Sequence, residues 1–429
     1  FLAFGSCFHA AEGKQIRPEI EKDIGHIRIC LPGGNGRLRG RNLGQDKKQG
    51  GRDSSSSSDG CHSVYLEWWD VKIEEMGRNN FHFLMDEYID LLAFEYKRAI
   101  DGNVADEYFG LRGEQTSDML KIHKLAEKFF DRADPCDEVD LQNVKLLGAH
   151  GIDLRVRKQL KGALTGIWVF DDDNELEEYT DNITSFIEKL PRSYDNPLLT
   201  FGAISFPPFS DENTGMTYEG SVVMGDGMFQ FLEEIDLIKY GAETIYAHEF
   251  AHQVQYAIGP TESLLHTELM ADSIGSYFLG HKKGANMKGR QLHQVHETLF
   301  SWGDCSPDNP EHHGLPAQRD CAAVWGTNQA KQDSCFEGET HSHKKIMHPI
   351  MYLDKFDEVF EDILSLDRKV CQYRNQKKSV NEQIKEKRGL QCKKNRSKES
   401  GNKSKTSRKK RSDCKRRSKT RQSHIYVRP

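Results

Sequence analysis

Residues 248–252 read His-Glu-Phe-Ala-His. On a helix, a step of four residues puts both imidazoles on one face, near enough to share a metal ion, and leaves Glu249 beside an open coordination position. Zinc takes nitrogen and oxygen donors at about 2.0–2.2 Å, and a catalytic zinc site uses three protein ligands so that water can occupy the fourth place. His248 and His252 supply two of them. Chance alone produces such a string in roughly one or two chains of this length per hundred, so it needs a second observation.

The next helical stretch supplies one. At helical spacing, Leu265, Glu268, Asp272, Gly275 and Leu279 share a face, which sets two carboxylates in an apolar stripe. Burying an ionised carboxylate without a partner costs far more than such a stripe returns, so the pair implies a cation or strong donors nearby. Glu268 can complete the ligand set. Asp272 can accept the outer N–H of a ligating histidine and so fix its tautomer and orientation. His266 lies elsewhere on this helix and is a weaker rival ligand. The chemistry of such a centre is hydrolysis: Zn2+ lowers the pKa of a bound water toward about 7, and Glu249 takes the water proton and hands it to the departing amine. A nucleophilic serine or cysteine is not required.

Several elements must position these groups. Apolar residues surround the stretch 243–256 on nearly every side, so its helix belongs inside a domain. Gly259-Pro260 breaks it, a second helix is predicted over 263–278 with Gly280 beyond it, and a third over 290–302. Upstream, apolar residues recur at helical spacing over 81–100, and 174–190 reads as a helix closed by Pro191. Residues 198–206 and 220–224 read as strands before turn signals. The fold class is α+β, and no internal repeat is present.

HEFAHQVQ at 248–255 followed by ELMAD at 268–272 resembles the gluzincin clan of metallopeptidases, most closely a family of neutral zinc metallopeptidases. VVMGDGM at 222–228 resembles the strand before the active-site helix, and HHGLPAQR at 312–319 resembles a downstream His-Gly-x-Pro-x-x-Arg signature. The resemblance covers roughly residues 198–326. It implies a zincin-like domain, with a small sheet beside an active-site helix and a following glutamate helix, and a zinc metalloendopeptidase acting on a peptide or protein substrate. His248, His252 and Glu268 map to the zinc ligands, Glu249 to the general base and Asp272 to the partner of a ligand histidine. In that clan the strand before the active-site helix often pairs through a free edge with an extended substrate, which makes 222–228 a candidate for that role; an ordinary core strand with a Gly-Asp-Gly turn is the equal alternative. Tyr246 and His313 are candidates to bind the oxyanion; His313 precedes a Gly-x-Pro turn, and His312 could take its place.

Composition sets the limits. The charged fraction is 29% and the mean hydropathy −0.72, too polar for a chain packed from end to end. Residues 31–62 are rich in Gly, Arg, Asp and Ser, and 385–429 carry 19 Lys and Arg against 3 Asp and Glu within a formal net charge of −6. The expected division is a disordered leader over 1–62, the metallopeptidase domain over 63–366 and a basic, disordered tail over 367–429. FLAFGSCFHAAEG at 1–13 resembles the end of a signal peptide, which favours a secreted or lumenal location. The basic runs 408–411 and 415–417 suit a nuclear localisation signal or binding to nucleic acid or acidic partners. No run of about 18 apolar residues would span a membrane. The ten cysteines contain no CxxC pair; they permit disulfides in an oxidising compartment and equally permit scattered buried thiols. Beside the peptidase stand two other readings, a silent zinc-binding scaffold and a binding protein that acts through its basic tail.

Overall fold

The computed structural model describes residues 61–98, 107–133, 141, 143–210, 217–259, 263–309, 312–335 and 346–372. The leader and the tail therefore lie outside the described residues, apart from 61–62 and 367–372. What is described is α+β and mostly helical, with one three-stranded sheet and a two-stranded hairpin.

Helix α1 (Val64–Met76) starts where the Ser63 side chain accepts the Leu66 N–H, and it buries Tyr65, Trp68, Trp69, Ile73 and Met76. The single helix expected over 81–100 is divided. Tyr88 takes a left-handed conformation, φ 55°, which no α-helix accommodates, so the chain forms α2 (Arg78–Asp86), a 3-10 turn (Ile89–Leu91) and α3 (Leu92–Tyr96). Apolar residues on both sides of the break are buried, which is why the spacing read through it. Next come α4 (Thr116–Asp131), β1 (Lys145–Ala149), α5 (Arg157–Ile167) and α6 (Asp173–Lys189). The Asp172 side chain opens α6 by accepting the N–H groups of Asn174 and Glu175.

The strand expected from 198 begins later, at β2 (Ala203–Phe206), because Pro197–Leu199 forms a 3-10 turn capped by the Asn196 side chain. After the hairpin β3 (Phe209–Ser210) and β4 (Thr217–Tyr218), β5 (Ser221–Gly225) enters the middle of the sheet. It runs parallel to β1, with Leu147 opposite Val223, and antiparallel to β2, with Ile204 opposite Val223. Both edges of β5 are thus occupied, and Asp226–Glu234 turns into helix α7. Of the two readings of 222–228, the free edge is overturned and the core strand stands: in this sheet β2 lies at an edge.

Helix α8 (Ile238–Ile258) carries the 248–252 motif and is buried from Gly241 to Gln255 apart from Glu243. It ends at Gly259, whose φ of 110° suits glycine. Helix α9 (Leu264–Gly280) begins at Ser263, whose side chain accepts the His266 N–H. These two helices approach at Gly275, where a Cβ would stand 2.9 Å from the Ala247 carbonyl carbon and oxygen and 3.0 Å from the His248 nitrogen. Helices α10 (Arg290–Ser301) and α11 (Pro316–Cys335) follow, and α11 packs on α9 where Gly326 faces the Ser273 carbonyl. The segments α12 (Pro349–Asp357), α13 (Phe360–Leu364) and α14 (Arg368–Cys371) complete the described chain. Helical structure therefore runs past 366, and a Cys321–Cys371 disulfide ties α14 to α11. A second disulfide joins Cys61 to Cys305, 244 residues apart. Among the described residues no helix is long and apolar enough to cross a membrane.

Gly275→Ala should test the close approach, because two effects oppose each other there. Alanine favours a helix by up to about 1 kcal/mol over glycine, whereas forcing a methyl against unyielding backbone costs about 1–3 kcal/mol. Net destabilisation in denaturant unfolding is expected; a midpoint that rises would mean that the helices have room to spare.

Candidate metal centre

Helix α8 presents His248 and His252 one turn apart, their ring centroids separated by 4.7 Å and their planes at 88°. From α9, Glu268 sets Oε2 at 3.3 Å from His248 Nε2 and Oε1 at 3.5 Å from His252 Nε2. The two Nε2 atoms are 3.1 Å apart. All three side chains are buried or nearly so, and their ligand atoms lie within 4.8 Å of one another.

The outer nitrogens explain why Nε2 faces inward on both rings. His248 Nδ1 lies 2.8 Å from Asp272 Oδ1, and His252 Nδ1 lies 2.7 Å from Gln255 Oε1. Gln255 is itself oriented, since its Nε2 donates to the Thr267 carbonyl at 2.8 Å. Each ring therefore donates through Nδ1–H to an acceptor and keeps a lone pair on Nε2 for a common centre. Two lone pairs at 3.1 Å beside a carboxylate repel unless a cation stands among them. A proton can play that part. Burial opposes charge on His248, yet its hydrogen bonds to Asp272 and Glu268 and the charge of both outweigh it and raise the ring to about 10. Burial lowers His252 to about 4, against the charge of Glu268. Glu268 stays well below the carboxylate range although burial opposes this, because His313 and His248 favour its ionised form. Two imidazoles and a carboxylate are a zinc ligand set, and their converging atoms could hold a divalent ion.

Asp272 is wholly buried and is held by Arg319, also wholly buried, near the start of α11. Arg319 Nε donates to Oδ2 at 2.8 Å and Nη2 to Oδ1 at 2.7 Å. Arg319 and Gln255 were not singled out by the sequence reading. Arg319 ends HHGLPAQR, and Gln255 falls three residues after His252, which is contact spacing on a helix; those were the available signals.

Glu249 lines a cavity of about 660 Å3 together with His248, His252, Glu268 and His313. Its carboxylate makes no hydrogen bond or ion pair among the described residues. Burial raises it to about 8, with the charge of His248 opposing. The His313 ring lines the same cavity, and its backbone N–H donates to Asp304 Oδ2 at 2.9 Å. Burial holds its pKa below the usual histidine value, with the charge of Glu268 opposing. His312 is separated from it: buried, with Nδ1 2.6 Å from Asp304 Oδ1, it anchors the loop. Tyr246 lies in the core with its hydroxyl 2.8 Å from His123 Nδ1 and does not line the cavity. His266 is paired with Asp357 at 2.9 Å and packed edge-on against Phe356 and Phe360.

The cavity continues along β2, past Ala203, Ile204 and Ser205, and its far wall is apolar, with Trp69, Phe94, Phe201 and Trp302. The Gly225 N–H donates to the Gly202 carbonyl at 3.0 Å, which turns the backbone of Gly202 and Ile204 toward β5. By strand alternation the N–H and C=O groups of Ala203 and Ser205 face the other way, away from β5. The Ser205 carbonyl there accepts from the Tyr256 hydroxyl at 2.9 Å.

No family model matches this chain, and no curated protein or solved structure compared with it does either. The chemistry of the centre therefore rests on its own geometry. Protein dialysed against zinc and then against metal-free buffer should retain about one zinc per chain by elemental analysis. Glu268→Gln should release it far more readily, since a neutral amide replaces an anionic ligand. Equal retention by the variant would remove Glu268 from the ligand set.

Proposed function

We propose that this chain is a zinc-dependent metalloendopeptidase with a zincin-like catalytic domain. The observation that carries the reading is the pairing of two histidines, each locked through Nδ1 so that Nε2 faces Glu268, with an unpaired Glu249 carboxylate in the wall of the same cavity. The likeness of HEFAHQVQ and ELMAD to the gluzincin clan supports the same conclusion.

His248, His252 and Glu268 would hold the zinc, which when bound supplies Lewis acidity toward a carbonyl and lowers the pKa of water to about 7. Glu249 is suited to proton transfer because it lines the cavity beside the three ligand residues and its carboxylate makes no hydrogen bond or ion pair among the described residues. It takes the proton of the attacking water and delivers it to the leaving amine nitrogen. His313, which lines the same cavity, would donate to the oxyanion of the tetrahedral intermediate. The outward groups of Ala203 can pair with an extended peptide, so β2 takes the substrate-aligning role first expected of the central strand.

A silent scaffold is the weaker reading. A structural zinc site fills its fourth position with Cys or His, whereas this one opens onto a cavity with a glutamate beside it. The two disulfides favour a secreted or lumenal location.

Glu249→Gln should lower peptide hydrolysis by about 10²–10⁴ while the protein keeps its zinc, since this residue moves a proton and ligates nothing. His313→Ala should lower kcat by about 10²–10³ with little change in KM, as for a contact made only in the transition state. Normal turnover by His313→Ala, accompanied by lost zinc or a lower Tm, would make that residue part of the fold instead.

A further inference from the structure

We propose that Arg319 is a positioning residue for the metal centre, acting through Asp272 to fix the direction in which His248 presents its Nε2. The inference rests on the metal reading of the site but not on its peptidase activity.

The freedom that must be removed is rotation of the Asp272 carboxylate, a broad torsion without a strong intrinsic preference. Asp272 is 0% exposed, so water does not hold it. Arg319 does so with two parallel bonds, Nε to Oδ2 at 2.8 Å and Nη2 to Oδ1 at 2.7 Å. A planar guanidinium fork fixes both the position and the plane of the carboxylate it grips. Oδ1 is also the oxygen 2.8 Å from His248 Nδ1. Fixing it fixes the acceptor on which the imidazole turns, and with it the opposite nitrogen.

Two further observations separate this role from simple charge balance. Arg319 Nη1 is buried without a hydrogen-bond partner. A buried donor left unsatisfied is costly, so the guanidinium is placed for the fork and not for its own satisfaction. Arg319 also stays out of the cavity wall. Its Nη2 lies 3.5 Å from His248 Nδ1, a nitrogen that already donates to Asp272, and 4.0 Å from Glu268 Oε2, both much longer than its bonds of 2.7 and 2.8 Å to Asp272. Its strong contact with the ligand set is therefore the one through Asp272. A lysine would supply the same charge as a point without the plane.

The test compares wild-type protein with Arg319→Lys, Asp272→Asn and the double variant. Zinc affinity is measured by competition with a chromophoric chelator, thermal stability is measured on metal-free protein, and the visible absorption of the cobalt(II)-substituted protein reports ligand geometry. Arg319→Lys is expected to weaken zinc binding by about 10–100-fold, as loss of an outer partner does, and to alter the cobalt bands although charge is conserved. Asp272→Asn should act similarly, and the double variant should be no worse than the stronger single one, because both remove one interaction. Wild-type affinity and cobalt bands in Arg319→Lys, whatever its Tm, would overturn the proposal; so would effects that multiply in the double variant. Should Arg319→Lys fail to fold, Asp272→Glu keeps the ion pair and moves the carboxylate by one methylene: weakened zinc binding supports the proposal, and unchanged binding overturns it. If wild-type protein binds no zinc at all, the metal reading falls and takes this inference with it, whereas a normal wild type beside an unaffected Arg319→Lys sinks the inference alone.

Discussion

Two carboxylates buried on one face of α9 are the constraint around which the rest of this structure is arranged. An ionised carboxylate moved from water into an apolar interior loses solvation worth tens of kcal/mol in the idealised limit, and several after relaxation. Asp272 and Glu268 both sit at that interface, 0% and 6% exposed. The compensation comes from opposite sides. Arg319 on α11 meets Asp272 with a fork of hydrogen bonds, and the imidazoles of α8 meet Glu268 and the remaining lone pair of Asp272. Three helices must converge for this to happen. Gly275 and Gly326 are the points at which backbone meets backbone without a side chain between them.

Satisfying the carboxylates also sets the chemistry. Each acceptor placed behind an imidazole fixes which nitrogen carries the proton, and so leaves the other as a base toward the interior. The same burial that makes the carboxylates demanding raises Glu249, which has no such partner, to about 8. Two acids on adjacent, packed helices thus acquire opposite character from their surroundings: Glu268 on α9 is held ionised beside the imidazoles, and Glu249 on α8, with no such partner, is raised. The adjacent histidines of the loop before α11 are divided in the same way, with His312 spent on Asp304 and His313 left facing the cavity.

Where the elements differ from the sequence-based expectation, the cause is tertiary. The residues of β5 form a short, largely apolar run, Ser-Val-Val-Met-Gly, buried at every position, a pattern that by sequence alone suits an edge strand backed by a core as well as a central strand covered on both sides. Periodicity does not separate the two; pairing with β1 on one side and β2 on the other does. The helix expected over 81–100 was read across Tyr88, since buried residues on either side of the left-handed turn keep a spacing that one helix would share. Neither disulfide could have been paired from spacing, because the partners stand 244 and 50 residues apart and meet only when α1 docks on the loop after α10 and α14 docks on α11.

By itself the sequence determined the α+β class, the donor types and the pairing of His248 with His252, because a four-residue step on a helix is local geometry and follows from the backbone alone. It also pointed to Glu268 and Asp272, since acids at helical spacing within an apolar stripe must find partners. Which partners they find was decided only by the tertiary structure. Arg319 lies 47 residues from Asp272, and nothing in its immediate neighbours distinguishes a buried guanidinium from a solvated one. The free edge passed from β5 to β2 for the same reason: strand order is a long-range choice, settled by which surfaces can be buried together and invisible to any local pattern.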